Sequence, residues 1–282
     1  MKLHHTNSDF HIPDGCAEPE ALSRTTHLGI GAHQDDLEII AYDGIESCHG
    51  RSDNWFGGVV VTNGSGSSRA GVYANHTDEE MRQVRLEEQR KAAVLGEYAF
   101  IAQLGYPSKS AKSPDATEVV DDLEVLLQAS RPHTVYVHNP ADKHDTHVGV
   151  LAHSLAALRR LPAADRPERL YGVEVWRGLD WMIDQSKVVL PADRRPNLAA
   201  ALMGLFDSQI TGGKRYDLAV PGRRLANATF FQSHAVDEVS AAAFAMDLSE
   251  LLRDDKLTLR DLVERHLNAF REDVLQRLQT FS

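Results

Sequence analysis

The stretch Gly31-Ala32-His33-Gln34-Asp35-Asp36-Leu37-Glu38 constrains this chain more than any other. An apolar run at residues 26–30 leads into it, and Leu37, Ile39, Ile40, Ala41 and Ile45 follow it in the pattern of a short buried helix. The sequence therefore predicts a strand ending in a tight turn that carries one imidazole and two adjacent carboxylates. His33 and Asp36, three apart across that turn, can face one ion while Asp35 points elsewhere. An imidazole nitrogen and a carboxylate oxygen are donor types that hold zinc, but a catalytic zinc takes three protein ligands and keeps one position open. The turn by itself does not complete a site.

The rest of a donor set lies about 110 residues later, in Asn139-Pro140-Ala141-Asp142-Lys143-His144-Asp145-Thr146-His147. A second predicted strand, residues 134–138, precedes this cluster, and a helix-like pattern at 148–160 follows it. Open α/β folds place their sites just beyond the C-terminal ends of strands and before helices. Either cluster alone reads equally well as a polar loop. Together they supply metal-ligand types at matching topological positions.

The chain has 282 residues and a 42% hydrophobic fraction, enough to bury a substantial core. Its formal charge is −11, from 41 acidic and 30 basic residues, and no basic block resembles a nucleic-acid footprint. Pairs such as Arg159-Arg160 and Arg223-Arg224 read as solvated faces. Cys16 and Cys48 are too few for a disulfide framework, and neither stands in a CxxC pattern. Residues 1–19 lack the apolar core of a signal peptide, and no apolar stretch approaches the roughly 18–20 residues of a membrane span. A soluble, cytoplasmic protein is expected, with homo-oligomerisation left open.

Along the chain, residues 1–24 form a poorly patterned extension with His4, His5 and His11. The apolar run Val59-Val60-Val61 suits a central strand covered on both faces. It ends in the glycine-serine loop 63–68, which lacks P-loop spacing. Residues 78–95 are the clearest helix, with Thr77 or Asp78 as cap and Gly96 as stop. Further strands are expected at 100–104 and 170–175, and helices at 119–129, 197–209, 236–252 and 259–281. Trp176, Asp180 and Trp181 read either as a stacking wall for a sugar or as structural aromatics. Alternating strands and helices argue for a three-layer, Rossmann-like α/β fold with a mostly parallel sheet. One domain is expected over 25–282, with a helical C-terminal elaboration.

The motif His33-Gln34-Asp35-Asp36-Leu37-Glu38 resembles the AHPDDxE signature of the PIG-L/LmbE-like zinc deacetylases, with Gln34 in place of proline. Residues 139–147 resemble that family's histidine-rich second motif, 59–66 its second strand and glycine loop, and 85–96 its arginine/glutamate helix. Members hydrolyse N-acyl amides, often the acetamide of N-acetylglucosamine in a conjugate. The resemblance implies His33, Asp36 and His147 as Zn2+ ligands, Asp35 as general base, and His144 as a donor near the developing oxyanion. It leaves the metal open to iron, cobalt or nickel. Thr146 stands where the family usually carries an aspartate that orients a neighbouring imidazole, so Asp142 or Asp145 is the candidate substitute. Ser65 occupies a position that is commonly acidic.

Among supporting residues, Glu38 is expected to brace the first motif by hydrogen bonding. Arg82 and Arg85 read either as contacts to sugar or phosphate or as helix-surface ion pairs. Trp176 is a candidate wall, and His234, beside Phe230-Phe231-Gln232-Ser233, reads as a pocket residue or a capping histidine. No GxSxG elbow or nucleophilic cysteine motif is present, so direct attack by an activated water is expected. The expected partner is a small N-acylated amino sugar or conjugate. Two rivals remain: an amidase for a larger thiol or antibiotic conjugate, and a non-catalytic, metal-containing carbohydrate binder. Retention of Asp35 argues against the binder, which needs no base.

Overall fold

The computed structural model describes residues 1–281. Its strands are β1 (Asp9–His11), β2 (His27–Gly31), β3 (Phe56–Thr62), β4 (Phe100–Tyr106), β5 (Thr134–His138), β6 (Arg169–Val173), β7 (Val188–Pro191) and β8 (Ala242–Asp247). They form one sheet in the order β1-β4-β3-β2-β5-β6-β8-β7. The five central strands from β4 to β6 are mutually parallel, and β1, β8 and β7 join through antiparallel pairings at the edges. This is the mostly parallel α/β architecture expected from the alternating pattern.

The helices are α1 (Glu18–Ser23), α2 (Asp36–Ile40), α3 (Tyr42–Cys48), α4 (Asp78–Leu95), α5 (Ser108–Ala111), α6 (Thr117–Ser130) and α7 (Asp145–Arg160). They continue as α8 (Pro196–Gly204), α9 (Asp207–Gln209), α10 (Tyr216–Ala228), α11 (Glu250–Arg253) and α12 (Leu259–Gln279). The apolar run in β3 is divided between two cores: Val59 and Val61 pack with α6 and α7, while Val60 packs with α2, α3 and α8. Val135 and Val137 face the first core and Tyr136 the second, as the twofold repeat of a strand requires. Gly44 sits where a Cβ would lie 2.6 Å from the Tyr136 ring, so its missing side chain lets α3 lie close on the sheet. The α4 boundaries match the sequence reading, and Thr77 and Glu80 close a reciprocal capping box.

The sheet changes direction between β2 and β5. From β2 the chain builds outward through β3 and β4, and from β5 it builds the opposite way to β6. Pairing His27 with Thr134 and Gly29 with Tyr136 puts the C-terminal ends of β2 and β5 side by side. A crevice at such a reversal is where open α/β sheets bind ligands.

Three sequence expectations are revised, and one helix is added. Residues 1–24 are ordered parts of the fold: β1 pairs with β4, α1 packs into the core, and the His4 ring lies 2.7 Å from Asp122. The helix expected at 197–209 ends at Gly204 and resumes as short α9. The helix α10 was not placed from sequence, and Phe230 and Phe231 lie beyond its end at Ala228. Residues 236–252, expected as a helix, instead contain β8, which lies between β6 and β7. The alanines of β8 are good helix formers, but an open sheet edge pairs their backbone and buries Phe244 and Met246. Cys16 and Cys48 are both free.

Candidate metal centre and active site

The turn after β2 orients two adjacent carboxylates in different directions. Asp35 has φ 90, in the left-handed region, immediately before α2 begins at Asp36. A non-glycine residue held there is strained, and such strain gathers at functional sites. Asp36 accepts the backbone N–H of His33 at 2.7 Å through Oδ2. The same oxygen lies 3.3 Å from His33 Nδ1 and 3.5 Å from His147 Nε2, and those two nitrogens are 3.2 Å apart. Three basic atoms from two distant stretches of chain thus form a nearly equilateral triangle.

That triangle is a direct test of fit for a cation. Tetrahedral zinc with bonds of about 2.0–2.2 Å separates its ligand atoms by about 3.3–3.5 Å. The observed edges match, so His33, Asp36 and His147 fit as three donors to one ion. His147 Nδ1 lies 3.0 Å from Asp142 Oδ2, although the approach is oblique. Both side chains are buried, at 2% and 0% exposure, so little solvent screens the pair. A carboxylate at Nδ1 favours the tautomer that keeps the Nε2 lone pair free. Asp142 therefore stands where the orienting carboxylate missing at Thr146 is needed, whereas Asp145 is exposed at the start of α7.

His138, at the end of β5, received no site role from the sequence. It is fully buried, stacks on His147 at 3.9 Å between centroids, and lies 3.3 Å from Asp36 Oδ2. Asp36, His138 and His147 also have the spacing of a donor group. However, His138 Nε2 accepts the backbone N–H of Ala32 at 2.9 Å, which occupies its lone pair. His138 thus packs behind the triangle and ties β2 to β5. Only a signal that the strand's last residue faces the crevice would have marked it in advance.

The electrostatics separate the two aspartates. Burial alone would raise the Asp36 carboxyl, but His147 and then His138 pull it well below the ordinary carboxylate range. For Asp35, burial prevails over the Arg85 charge and pushes the carboxyl up to about 8. Burial opposes protonation of His147, yet Asp36 and Asp142 hold its pKa above the usual histidine value. His144 goes the other way: burial, then His147 and His33, lower it. Its Nδ1 accepts the backbone N–H of Thr146 at 3.3 Å, which leaves a neutral ring with its N–H at Nε2.

Arg85, on α4, holds Asp35 from behind. Both terminal nitrogens lie 3.2 Å from Asp35 Oδ2, and one also donates to the Gln34 carbonyl. Ser208 on α9 accepts from Arg85 at 3.3 Å, and Glu88 receives the Ser208 N–H and hydroxyl at 2.7 and 2.6 Å. Gln34 donates to the Thr62 carbonyl and to Gln103 Oε1, both at 3.1 Å, so its amide braces the turn that lacks proline. Glu38 is buried and accepts from Gln89 and Tyr98 at 2.8 and 2.7 Å. It lies behind the first motif, as a brace.

A cavity of about 530 Å³ opens over the triangle, lined by His33, Asp35, Asp36, His144, His147, Arg85 and Trp176. The sequence reading missed its other walls: Tyr216, whose ring is 4.7 Å from Trp176, with Lys112, Lys214, Ser67 and Ser108. Besides Glu38, Asp142 and Asp145, three further candidates do not line it. Ser65 bonds within its own loop, Arg82 pairs with Glu79 at 2.8 Å on the outside of α4, and His234 is exposed beyond α10. For His234, the intervening course of α10 carries the segment away from the crevice.

A family model described as "GlcNAc-PI de-N-acetylase" (PIG-L) matches residues 28–158, which contain both motifs. Residues 28–158, a little under half of the chain, are thus similar to the PIG-L family. No curated protein matches the chain by sequence. Among solved structures, N,N'-diacetylchitobiose deacetylase from Pyrococcus horikoshii is similar at 16% identity and TM-score 0.62, over 86% of this chain and 90% of that one. The A40926 pseudoaglycone deacetylase Dbv21 is similar at 15% identity and TM-score 0.56, over 80% and 97%. GalB, the 4-carboxy-2-hydroxymuconate hydratase from Pseudomonas putida KT2440, is similar at 15% and TM-score 0.58, over 80% and 96%. At these identities the likeness concerns the fold alone, and the similar structures include both deacetylases and a hydratase, so reaction class must be argued from the site.

Proposed function

We propose that this protein hydrolyses an N-acyl amide, an acetamide on an amino sugar or glycoconjugate, at a divalent cation held by His33, Asp36 and His147. The observation that carries the reading is the donor triangle with edges of 3.2–3.5 Å beside a buried carboxylate, Asp35, that lies outside it. The mixed nitrogen and oxygen donors suit zinc, and also iron, cobalt or nickel. When bound, such a cation supplies Lewis acidity and lowers the pKa of a water to about 7.

The protein's own groups supply the proton transfers. Asp35, buried beside the triangle but outside it, is placed to take a proton from the attacking water and to return it to the departing amine. Both Arg85 contacts engage one Asp35 oxygen, Oδ2, and leave Oδ1 for this exchange. Neutral His144 offers its Nε2–H to the carbonyl oxygen as charge develops there. Trp176 and Tyr216 provide a tilted aromatic wall for a sugar ring. The cavity is within the size range of small-ligand sites.

The test is a metal-dependent deacylation screen over N-acetylglucosamine, N,N'-diacetylchitobiose and N-acetylated glycosides, read by acetate and free amine. Asp35→Asn is expected to lower kcat by about 10²–10⁴-fold while bound metal is retained. No release of acetate from any member, with metal bound, removes the proposal. Metal binding and sugar binding without turnover would favour the carbohydrate-binder reading instead.

A further inference from the structure

A second cavity of about 530 Å³ lies next to the first, outside the residues that the proposed chemistry uses. The two share their supports. The segment after β6 turns Trp176 toward the metal cavity and Gly178 and Asp180 toward the second one. On α10, Tyr216 lines the metal cavity, and Ala219, Arg223 and Ala226 line the second. Their spacing of three and four places them on one helix face. Tyr216 and Arg223 are separated by a rise of about 10 Å. A single face of α10 therefore leads from the aromatic wall of the metal cavity into its neighbour.

The second cavity combines an apolar wall with an uncompensated cation. Phe231 and Phe244 pack together at 5.2 Å between centroids and form its floor. Lys187 is committed elsewhere, 2.9 Å from Asp184 and over the Phe244 ring. Arg223 has no hydrogen-bond or ion-pair partner among the described residues, and its Nε is buried without one. An unpaired guanidinium recognises a planar anion through two parallel hydrogen bonds. Asp180 and Asp184 on the same rim disfavour a dianionic phosphate more than a monoanionic carboxylate.

We infer that this cavity is a distal subsite of the same substrate, and that the substrate is an amino sugar extended by an apolar segment ending in a carboxylate. The inference rests on the proposed deacylase reading. The amide sits at the metal cavity, the sugar ring lies against Trp176 and Tyr216, the apolar segment runs along α10 over Phe231 and Phe244, and the carboxylate meets Arg223.

Three β-glycosides of N-acetylglucosamine test it: methyl, octyl and 7-carboxyheptyl. With metal-replete protein, kcat/KM is expected to rise from methyl to octyl and again to 7-carboxyheptyl, the last step by about tenfold, as one charge-assisted bond allows. Arg223→Gln is expected to abolish the step between octyl and 7-carboxyheptyl, and Ala219→Phe to abolish the step between methyl and octyl. Equal kcat/KM for all three glycosides, or an undiminished carboxylate preference in Arg223→Gln, overturns the subsite while leaving the deacylase reading intact. If no glycoside is hydrolysed, the deacylase reading fails. Calorimetric titration of the 7-carboxyheptyl glycoside then decides the subsite, since affinity that does not depend on Arg223 overturns it.

Discussion

Replacing Asp142 by Asn keeps the side chain's size and removes its charge. Asp142 Oδ2 lies 3.0 Å from His147 Nδ1, and both groups are buried, so water cannot take over the lost role. Outer carboxylates of this kind contribute about 10–100-fold to metal affinity, or about 1.4–2.7 kcal/mol. Asp142→Asn should weaken zinc binding by that factor, measured by competition against a chromophoric chelator on metal-stripped protein. Asp145→Asn serves as the internal control: Asp145 is exposed and touches no member of the triangle, so its affinity should stay within about twofold. The thermal shift on adding zinc should shrink in Asp142→Asn and not in Asp145→Asn. If Asp142→Asn binds zinc as tightly as the unaltered protein, or if Asp145→Asn shows the larger loss, the assignment of Asp142 to the role vacated at Thr146 is wrong.

Two other perturbations probe how the crevice is held. At Gly149, on α7, a Cβ would lie 2.3 Å from the Ala111 carbonyl oxygen, so Gly149→Ala should destabilise the fold by about 1–3 kcal/mol or more; an unchanged melting temperature would show that α5 and α7 yield freely. The hydrogen bond and charge of Asp122 raise the pKa of His4, so this contact stabilises N-terminal docking fully below about pH 6.5 and is lost as pH rises through the folded value. Amide exchange at β1, corrected for intrinsic base catalysis, should therefore accelerate above neutral pH in the unaltered protein and lose that dependence in His4→Gln.

Much of the crevice was legible because each of its two clusters is local in sequence and its order has a local cause. A strand, a turn with His33, Asp35 and Asp36, and a short helix follow from hydrophobic pattern and residue type alone. The α4 capping box is likewise a local signal, and its helix has the boundaries read from sequence. Residues 236–252 show the limit of such reading. Their alanines favour a helix by propensity, and only the open edge beside β6 makes β8 the better solution. The same limit hid Tyr216, because a glycine-rich stretch just before it masks the start of α10.

The sequence by itself determined which donor types exist, that each cluster follows a strand, and that Thr146 lacks a charge its neighbours could supply. It could not choose between Asp142 and Asp145, because both lie within a few residues of His147 and the difference is one of direction. Only the tertiary structure decided that β2 and β5 are neighbours at the reversal of the sheet, which brings Asp36 within 3.5 Å of His147. It also decided that the Ala32 N–H engages His138, and that α10 runs from the candidate metal cavity to Arg223, which is unpaired among the described residues. The physical reason is the same throughout: periodicity and turn chemistry act over a few residues, whereas strand order and lone-pair direction arise from packing across the whole sheet.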